Sequence, residues 1–363
     1  MISLIKKAYD SFFGAGEAAV TVPPMDGALL PNDALDRALL LHSVQAPDNL
    51  VLHGDQIVFS SGCVLFALAS EGGPERIAAF DSEILAMASD GKDGLAIALA
   101  GAGILVRQKG KDDRLLRLEP SEERCVTALY FDADGHLLVA VGSSQVAAAD
   151  WARDLLCGGA TGSVLRLSPD GERRQLAGRL AWPAGVTVLP DGRIIASEAW
   201  RHRLISLRND GRTEAVLGNL PAYPGRIGQE TDGILLSLFA PRRQLVEFIL
   251  REREFRETMM RDIAPELWMA PTLRPSSSFR EPLQGGAVKQ LGVLKPWAPT
   301  RSYGLLVQLD GDFVPQASFH SRADGRRHGI TSSLKVGNRL FITSKGGDAV
   351  LALAETSNER VGE

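Results

Sequence analysis

The chain has 363 residues, of which 45% are hydrophobic and 23% charged, and its formal net charge is −4. This composition is typical of a globular protein with a large core. Basic residues are interleaved with other residue types, so the sequence predicts no nucleic-acid-binding surface. It contains no uncharged apolar run of about 18 to 20 residues, the length of a membrane-spanning helix, so no membrane span is predicted.

Residues 1–40 are predicted to form an N-terminal extension. Its first dozen residues predict a short amphipathic helix that docks against the body, and they lack the uninterrupted apolar core of a secretion signal. The three cysteines, Cys63, Cys125 and Cys157, are widely spaced and form no C-x-x-C pair. This pattern favours a reducing compartment, so we predict a cytoplasmic protein in which the cysteines are small buried residues.

Six turn glycines, each followed closely by an apolar strand, divide the rest of the chain into similar units. They are Gly54, Gly94, Gly135, Gly192, Gly233 and Gly337. Successive gaps are 40, 41, 57, 41 and 104 residues, and a four-stranded propeller blade takes about 40 to 45 residues. Apolar and polar residues alternate after each turn, as in strands and hairpins. The sequence therefore predicts an all-β fold, a six-bladed β-propeller over residues 41–363, because each sheet buries its faces only against its neighbours.

The two long gaps indicate insertions. In the third unit, "QVAAADWARDLLCGGAT" separates two strands. Residues 255–300 form a Pro-rich insertion, with a short helix predicted around residues 265–269, and we expect a lid over a central pocket rather than a second domain. Just before it, "ILLSLFAPRRQLVEFIL" predicts two successive strands of the fifth blade, and "REREFRE" predicts a charged edge strand.

The segment "LAWPAGVTVLPDGRIIASEAWRHRLISL", residues 180–207, resembles the signature of strictosidine synthase-like proteins. Other segments are similar to further blades of that family: "APDNLVLHG", "LPAYPGRI", "APRRQLVEFI", "YGLLVQLDGDFV" and "HGITSSLKVGNRLFITS". The resemblance runs from about Pro47 to Leu353. It implies a relative of the gluconolactonase, regucalcin and paraoxonase propellers, six-bladed enzymes with one site at the mouth of the central channel.

In the hydrolases of that group, a Glu and several Asn or Asp side chains hold a calcium ion at the channel mouth. The resemblance places four residues of this chain at those positions: Asp48, Thr127, Ala184 and Gly225. Calcium takes about six to eight oxygen ligands, yet only Asp48 offers the expected side chain, and Arg226 adds a cation nearby. The resemblance therefore implies no metal and no other cofactor. Calcium held by Asp48, backbone carbonyls and water stays open as a disfavoured alternative.

Three residues are candidate acid–base groups. Strictosidine synthase uses a Glu near the start of its last blade, and the resemblance places His328 there; its alternative is an exposed loop histidine. Asp48 is the candidate at the channel mouth, with turn capping as its alternative. Glu198 stands where the family has a Val-Ala-Glu-Thr carboxylate, and an ion pair that holds the blade edge is its favoured alternative.

Four residues are predicted to contact the substrate: Thr127, Trp182, Tyr223 and Arg226. Arg226 is a candidate anion contact, while Trp182 and Tyr223, together with Trp151 and Trp200, are candidate walls of an apolar pocket. Packing between blades is the alternative for each aromatic residue.

The sequence thus predicts an enzyme that acts on a small organic molecule without a metal, by amine–carbonyl condensation, lyase-type chemistry, or ester or lactone hydrolysis. A non-catalytic propeller that binds a small molecule or a protein is the second hypothesis. A calcium-dependent lactonase or esterase with a reduced ligand set is the third. A small-molecule substrate is the predicted partner, and the oligomeric state is left open.

Overall fold

The computed structural model describes residues 22–69, 73–208, 210–230, 232–275 and 301–354, together with two short strands at 289–290 and 293–294. These residues form six four-stranded antiparallel sheets arranged in a ring. The prediction of a six-bladed β-propeller is confirmed. The predicted N-terminal helix and the Pro-rich part of the insertion after residue 275 fall mostly outside the described residues.

Strands are numbered along the chain from β1 (Leu39–Ser43). Blade 1 contains β2 (Pro47–His53), β3 (Gln56–Ser61), β4 (Val64–Ala67) and β5 (Glu75–Ala79). Blade 2 contains β6 (Ile84–Ser89), β7 (Gly94–Leu99), β8 (Gly103–Gln108) and β9 (Arg114–Leu116). Blade 3 contains β10 (Val126–Phe131), β11 (Leu137–Val141), β12 (Gly162–Leu167) and β13 (Arg173–Leu180).

Blade 4 contains β14 (Pro183–Val188), β15 (Ile194–Glu198), β16 (Arg203–Leu207) and β17 (Thr213–Leu217). The two short strands are β20 (Lys289–Gln290) and β21 (Val293–Leu294). Blade 5 contains β18 (Ala222–Glu230), β19 (Gly233–Pro241), β22 (Gly304–Asp310) and β23 (Pro315–Ser321). Blade 6 contains β24 (Ile330–Val336), β25 (Arg339–Ser344), β26 (Ala349–Ala354) and, at its outer edge, β1.

The described helices lie outside the sheets. They are α1 (Ala34–Arg37), α2 (Pro120–Glu123), α3 (Trp151–Cys157), α4 (Gln244–Ile249) and α5 (Arg253–Asp262). Short 3₁₀ turns cover Gly27–Leu29, Ala148–Asp150, Ala199–Arg201 and Pro265–Leu267. No helix among the described residues is long and apolar enough to cross a membrane.

The first strands of the six blades surround the ring axis. Each of β2, β6, β10, β14 and β18 contacts the next, and β24 contacts both β18 and β2. The ring closes at its outer edge as well, because β1 pairs antiparallel with β26, with Ser43 opposite Ala349. Since β1 begins at Leu39, the chain enters the propeller within the segment predicted as the extension.

The six turn glycines lie where predicted, between the first and second strands of their blades or at the start of the second strand. Four of them have positive φ, as tight hairpins require: Gly54, Gly135, Gly192 and Gly337. Gly233 is needed for another reason. A Cβ there would lie 2.0 Å from the carbonyl oxygen of Leu309 on the third strand of the blade.

The prediction of a second fifth-blade strand directly after β19 is wrong. The segment "LVEFI" lies in α4, where Val246 and Ile249, three residues apart, are buried and Phe248 is exposed. The prediction of an edge strand at "REREFRE" is also wrong. Most of that segment lies in α5, where Arg253 donates to Glu257 at 2.7 Å, a pair four residues apart on one helix face.

The two insertions pack against each other. Leu156 of α3 forms a buried cluster with Met259 of α5 and with Trp268, and Arg256 donates to the carbonyl oxygen of Leu156. The predicted short helix near residue 265 is present as a 3₁₀ turn. The segment that follows this 3₁₀ turn reaches the ring axis at Leu273.

All three cysteines are free, and only Cys125 is buried. The prediction that all three are buried is therefore wrong for Cys63 and Cys157, which lie in exposed positions outside the strands. The cytoplasmic location stays a prediction.

Candidate functional site

A cavity of about 310 Å³ lies where the first strands of the six blades begin. Its polar lining consists of Asp48, Glu83, Thr127, Arg226, Thr331 and Lys345. Its apolar lining includes Leu85, Val126, Trp151, Trp182, Ala184, Phe239 and Leu273. Because Trp151 and Leu273 come from the two insertions, the insertions form part of its wall.

The four positions that the resemblance aligned with metal ligands converge on this cavity. Asp48 of β2, Thr127 of β10, Ala184 of β14 and Gly225 of β18 all line it. They belong to four different blades and are separated by up to 177 residues of sequence. Their convergence follows from the equivalent place that each takes near the start of the first strand of its blade.

Asp48 is held by two cationic side chains. Its Oδ1 accepts from Arg226 Nη1 at 2.5 Å, and its Oδ2 accepts from Lys345 Nζ at 3.1 Å. Burial by itself would raise the pKa of Asp48, but the charges of Arg226 and Lys345 outweigh that effect and lower it to about 2. Asp48 is therefore ionised at neutral pH, so it cannot donate a proton there and is a weak base. This pairing favours an electrostatic role for Asp48, and its acid–base role stays a prediction.

Arg226 spans the centre of the ring. Its Nε donates to the carbonyl oxygen of Thr127 at 3.1 Å, and its Nη2 donates to that of Leu85 at 2.8 Å. Besides Asp48, its Nη1 also contacts the carbonyl oxygen of Thr331 at 3.3 Å. The guanidinium is thus bound to oxygens of the protein itself, which weakens the prediction that it serves as the anion contact.

The lining does not fit a calcium site. Asp48 and Glu83 are the only carboxylates among the described lining residues, and Glu83 is exposed. Ala184 and Gly225 offer no side-chain oxygen, and the guanidinium of Arg226 takes up Asp48 and three carbonyl oxygens that could otherwise be ligands. A calcium-dependent lactonase with a reduced ligand set is not supported by these residues.

A second group of possible ligands, formed by Asp132, Asp134 and His136, lies in the turn between β10 and β11. Arg166 Nη2 lies 2.6 Å from Asp132 Oδ2 and 3.0 Å from His136 Nδ1. A cationic side chain therefore already contacts this group and offsets part of its negative charge.

Aromatic side chains form one wall of the cavity. Trp151, Trp182 and Phe239 line it, and Trp200 stacks behind Trp182 with ring centroids 5.2 Å apart. Tyr223 does not line the cavity: it is fully buried and packs against Trp200 at 5.8 Å. The prediction that Trp182 is a wall agrees with the geometry. Tyr223 instead supports the wall from behind.

Trp182 is held in a backbone conformation that is uncommon for a side chain of its size. Its φ is 57°, in the left-handed region, and its carbonyl oxygen accepts from the backbone N–H of Ala199 at 3.0 Å. This conformation costs roughly 1 to 2 kcal/mol for a residue other than glycine. Such conformations persist where the surroundings fix them, and they are frequent at binding sites.

Thr127 lines the cavity, but its hydroxyl contacts backbone carbonyl oxygens of the protein itself. Oγ1 contacts the carbonyl oxygen of Pro183 at 2.5 Å and that of Ala140 at 3.1 Å. A hydroxyl has a single hydrogen to donate, so both contacts compete for it. The predicted substrate contact through Thr127 stays a prediction.

Glu198 lies at the end of β15, the second strand of blade 4, outside the cavity lining, and is fully buried. Its Oε1 accepts from the backbone N–H of Ala181 at 2.8 Å and from Arg201 at 2.5 Å, and its Oε2 accepts from Arg203 at 2.6 Å. This is the geometry of the structural ion pair that the sequence favoured. It offers no support for a catalytic role.

His328 is also fully buried and is not among the lining residues. Its Nδ1 hydrogen-bonds Ser302 Oγ at 2.8 Å, and its Nε2 hydrogen-bonds the carbonyl oxygen of Arg322 at 2.7 Å. Burial lowers its pKa. Because both ring nitrogens are engaged away from the cavity, the acid–base assignment of His328 lacks geometric support, and so does its alternative as an exposed loop histidine.

The sequence reasoning missed Lys345. This residue lies in the turn between β25 and β26, before Gly346 and Gly347. A Cβ at position 346 would lie 1.7 Å from the carbonyl oxygen of Leu273, so glycine lets the insertion pass directly over the turn. A lysine followed by two glycines at the cavity end of the last blade is the signal that could have identified it.

Comparisons with known proteins agree with the fold. No protein-family model matches the sequence, and no curated protein matches it. A gluconolactonase from Xanthomonas campestris matches with a TM-score of 0.55 and 14% identity, over 92% of this chain and 98% of that chain.

Two other solved structures are similar to a comparable degree. A luciferin-regenerating enzyme has a TM-score of 0.52 and 11% identity, over 90% of this chain and 89% of that one. A PQQ-bound aldose sugar dehydrogenase from Streptomyces coelicolor has a TM-score of 0.52 and 12% identity, over 92% of this chain and 99% of that one. At these identities the similarity shows the propeller fold, and the strictosidine synthase-like resemblance stays a prediction.

Proposed function

We propose that this protein is an enzyme that acts on a small organic molecule in the cavity at the mouth of the propeller, without a bound metal ion. The observation that carries the proposal is the convergence of Arg226 and Lys345 on Asp48 in a largely apolar cavity. Charges in a partly desolvated site act more strongly on a ligand than they do in water. The fold is one on which other proteins, such as the similar gluconolactonase, are enzymes.

Lys345 is the side chain that we assign to the substrate. Its ammonium lines the cavity while it holds Asp48 at 3.1 Å. An ammonium has three N–H donors, so Lys345 can also donate to a substrate oxygen. Arg226 and Lys345 carry two positive charges against one negative charge on Asp48, and water screens the exposed Glu83. The site therefore favours a substrate oxygen that carries or develops negative charge.

The aromatic lining of the cavity supports the same proposal. Trp151, Trp182 and Phe239 present apolar surface, as small-molecule sites commonly do. The preferred ligand therefore combines an apolar or aromatic part with a carboxylate or carbonyl oxygen. Ester or lactone hydrolysis and the condensation of an amine with a carbonyl both place developing charge on such an oxygen.

A non-catalytic binding propeller is the second candidate. It is favoured by the state of the predicted acid–base groups, because Asp48 is paired with two cations and both Glu198 and His328 lie outside the cavity lining. Ligand binding through Lys345 needs none of them to exchange a proton.

Turnover and binding assays separate the two candidates. The protein is screened with aryl esters, γ- and δ-lactones and amine–aldehyde pairs in the presence of a chelator, and its affinity for 3-phenylpropanoate is measured by calorimetry. Turnover that persists with chelator and falls at least about tenfold in Lys345→Met supports the enzyme. Lys335→Met is the matched control, since Lys335 is a lysine of the same blade that binds Glu230 at 2.5 Å.

Binding of 3-phenylpropanoate without turnover would support the binding protein. Turnover that is lost with chelator and restored by calcium would contradict the metal-independent proposal. Turnover equally strong in the wild type and in Lys345→Met would remove the assignment of Lys345.

A further inference from the structure

The side chain of Arg226 forms hydrogen bonds with several blades, whereas a hydrogen bond within a sheet stays within one blade. It extends from β18 of blade 5 and reaches Asp48 of blade 1, Leu85 of blade 2, Thr127 of blade 3 and Thr331 of blade 6. One guanidinium therefore connects five of the six blades at the ring axis.

The remaining blade is connected at the adjacent residue. Ser197 Oγ of blade 4 donates to the carbonyl oxygen of Gly225 at 2.7 Å. The two inner strands also approach closely here, because a Cβ at Gly185 would lie 2.9 Å from the Cα of Arg226. All six blades thus meet within two consecutive residues of β18.

The oxygens around the guanidinium resemble the surroundings of a hard cation. They comprise one carboxylate oxygen and three backbone carbonyl oxygens, all within 3.3 Å of a guanidinium nitrogen. Carboxylates and carbonyls are ligands of calcium in proteins. A guanidinium satisfies the same oxygens through up to five N–H donors in a fixed plane, and it keeps its charge at any ordinary pH.

We propose that the guanidinium of Arg226 is a built-in cation that joins the blades at the ring axis and satisfies oxygens that could otherwise bind a metal ion. The inference rests on contacts within the protein and not on the identity of the substrate. It assigns Arg226 a structural role, which leaves Lys345 as the cation that meets a ligand.

Thermal unfolding of the full chain tests this inference. Arg226→Ala removes a largely buried charge from beside Asp48 and three carbonyl oxygens, so we expect its melting temperature to fall by on the order of 5 °C or more. Guanidinium at tens of millimolar is expected to recover part of the loss, while urea and sodium chloride at the same concentration recover none. Calcium at millimolar concentration is expected to leave the wild type unchanged.

The double variant Arg226→Ala/Asp48→Asn is the matched control. It lacks the carboxylate that a rescuing cation would bind, so guanidinium should raise its melting temperature less than that of Arg226→Ala. If Arg226→Ala does not fold, the melting temperature of Arg226→Lys tests the inference instead. A lysine keeps the charge but cannot donate to four blades at once, and we expect it to melt below the wild type.

Three results would overturn the inference. They are a wild-type protein stabilised by calcium by several degrees, an Arg226→Ala or Arg226→Lys variant as stable as the wild type, and a rescue by guanidinium no greater than that by urea. Because every readout is a melting temperature, failure here is distinct from failure to find a substrate.

Discussion

The cavity at the ring axis and the end of β15 in blade 4 each contain a buried carboxylate with two cationic partners. At the axis, Asp48 is held by Arg226 and Lys345; at the end of β15, Glu198 is held by Arg201 and Arg203. The partner side chains are exposed to similar degrees, 20% and 28% at the axis against 37% and 21% around Glu198. Burial and pairing therefore do not distinguish a candidate site from a structural one. The distinction is that the cations of Asp48 line a cavity.

The largest effect is expected at the structural carboxylate. Glu198→Ala removes the buried carboxylate that Arg201 and Arg203 contact and the acceptor for the N–H of Ala181, so the free energy of unfolding should fall by on the order of 3 kcal/mol. Affinity for 3-phenylpropanoate in the folded protein should not change. Chemical denaturation and calorimetry measure the two quantities.

The control for this variant lies in the same blade. Glu214→Ala breaks an ion pair with Arg208 in which both side chains are mostly exposed, so stability should stay at the wild-type value. Weaker ligand binding in Glu198→Ala would contradict the separation of the two regions.

Lowering the pH should reveal how strongly Arg226 and Lys345 stabilise the ionised form of Asp48. The folded-state pKa of about 2 lies below the ordinary value of 3.8, so this stabilisation is fully present above pH 3.8 and is lost as the pH falls toward 2. The difference corresponds to about 2 kcal/mol. The stability gap between the wild type and Asp48→Asn should shrink by that amount between neutral pH and pH 2, as measured by denaturant titration. A gap independent of pH would show that Asp48 is not held as the structure indicates.

The charge of Lys345 should set the preference for anions. Lys345→Met is expected to weaken binding of 3-phenylpropanoate about tenfold, or roughly 1.4 kcal/mol, while binding of the uncharged 3-phenylpropanol stays the same. Calorimetric titration of both ligands measures this preference. An equal loss for both ligands would point to a collapsed cavity rather than a lost charge, and Lys335→Met should match the wild type.

The smallest effect on the site is expected from His328→Gln. Because the imidazole is buried and hydrogen-bonded to Ser302 and to the carbonyl oxygen of Arg322, the variant should lose about 1 kcal/mol of stability. Affinity for 3-phenylpropanoate and any turnover should stay within about twofold of the wild type, a change well under 1 kcal/mol. A large loss of turnover with unchanged stability would return His328 to the candidate acid–base groups.

The propeller was predictable because its signals are local and recur. Each turn glycine marks the first hairpin of one blade, so the number of these glycines predicts the number of blades. Four-stranded sheets can bury their faces only by stacking, so the six units must form a ring. The helices that follow β19, α4 and α5, were not predictable in the same way. The spacing of Val246 and Ile249 in α4 is too short a pattern to separate a helix from an apolar strand, and only the structure shows that both side chains are buried on one helix face.

The site was predictable in its position but not in its chemistry. The alignment of first strands located Asp48, Thr127, Ala184 and Gly225 correctly on one cavity. It could not show that Arg226 turns inward and satisfies the carbonyl oxygens, since those acceptors belong to the backbone and leave no mark in the sequence. Lys345 was missed because its turn approaches Asp48 only when the last blade closes the ring.

The pairing of β1 with β26 has a consequence for synthesis of the chain. These two strands lie about 300 residues apart in sequence, and at ribosomal rates of roughly 5 to 20 residues per second β1 waits on the order of 15 to 60 seconds for its partner. During that time its apolar side chains, including Leu39 and Leu40, border an unpaired backbone edge, which is a template for association with other chains. Nascent chains should therefore depend on chaperones until the final blade emerges, and a circular permutant that places β1 directly after β26 should depend on them less.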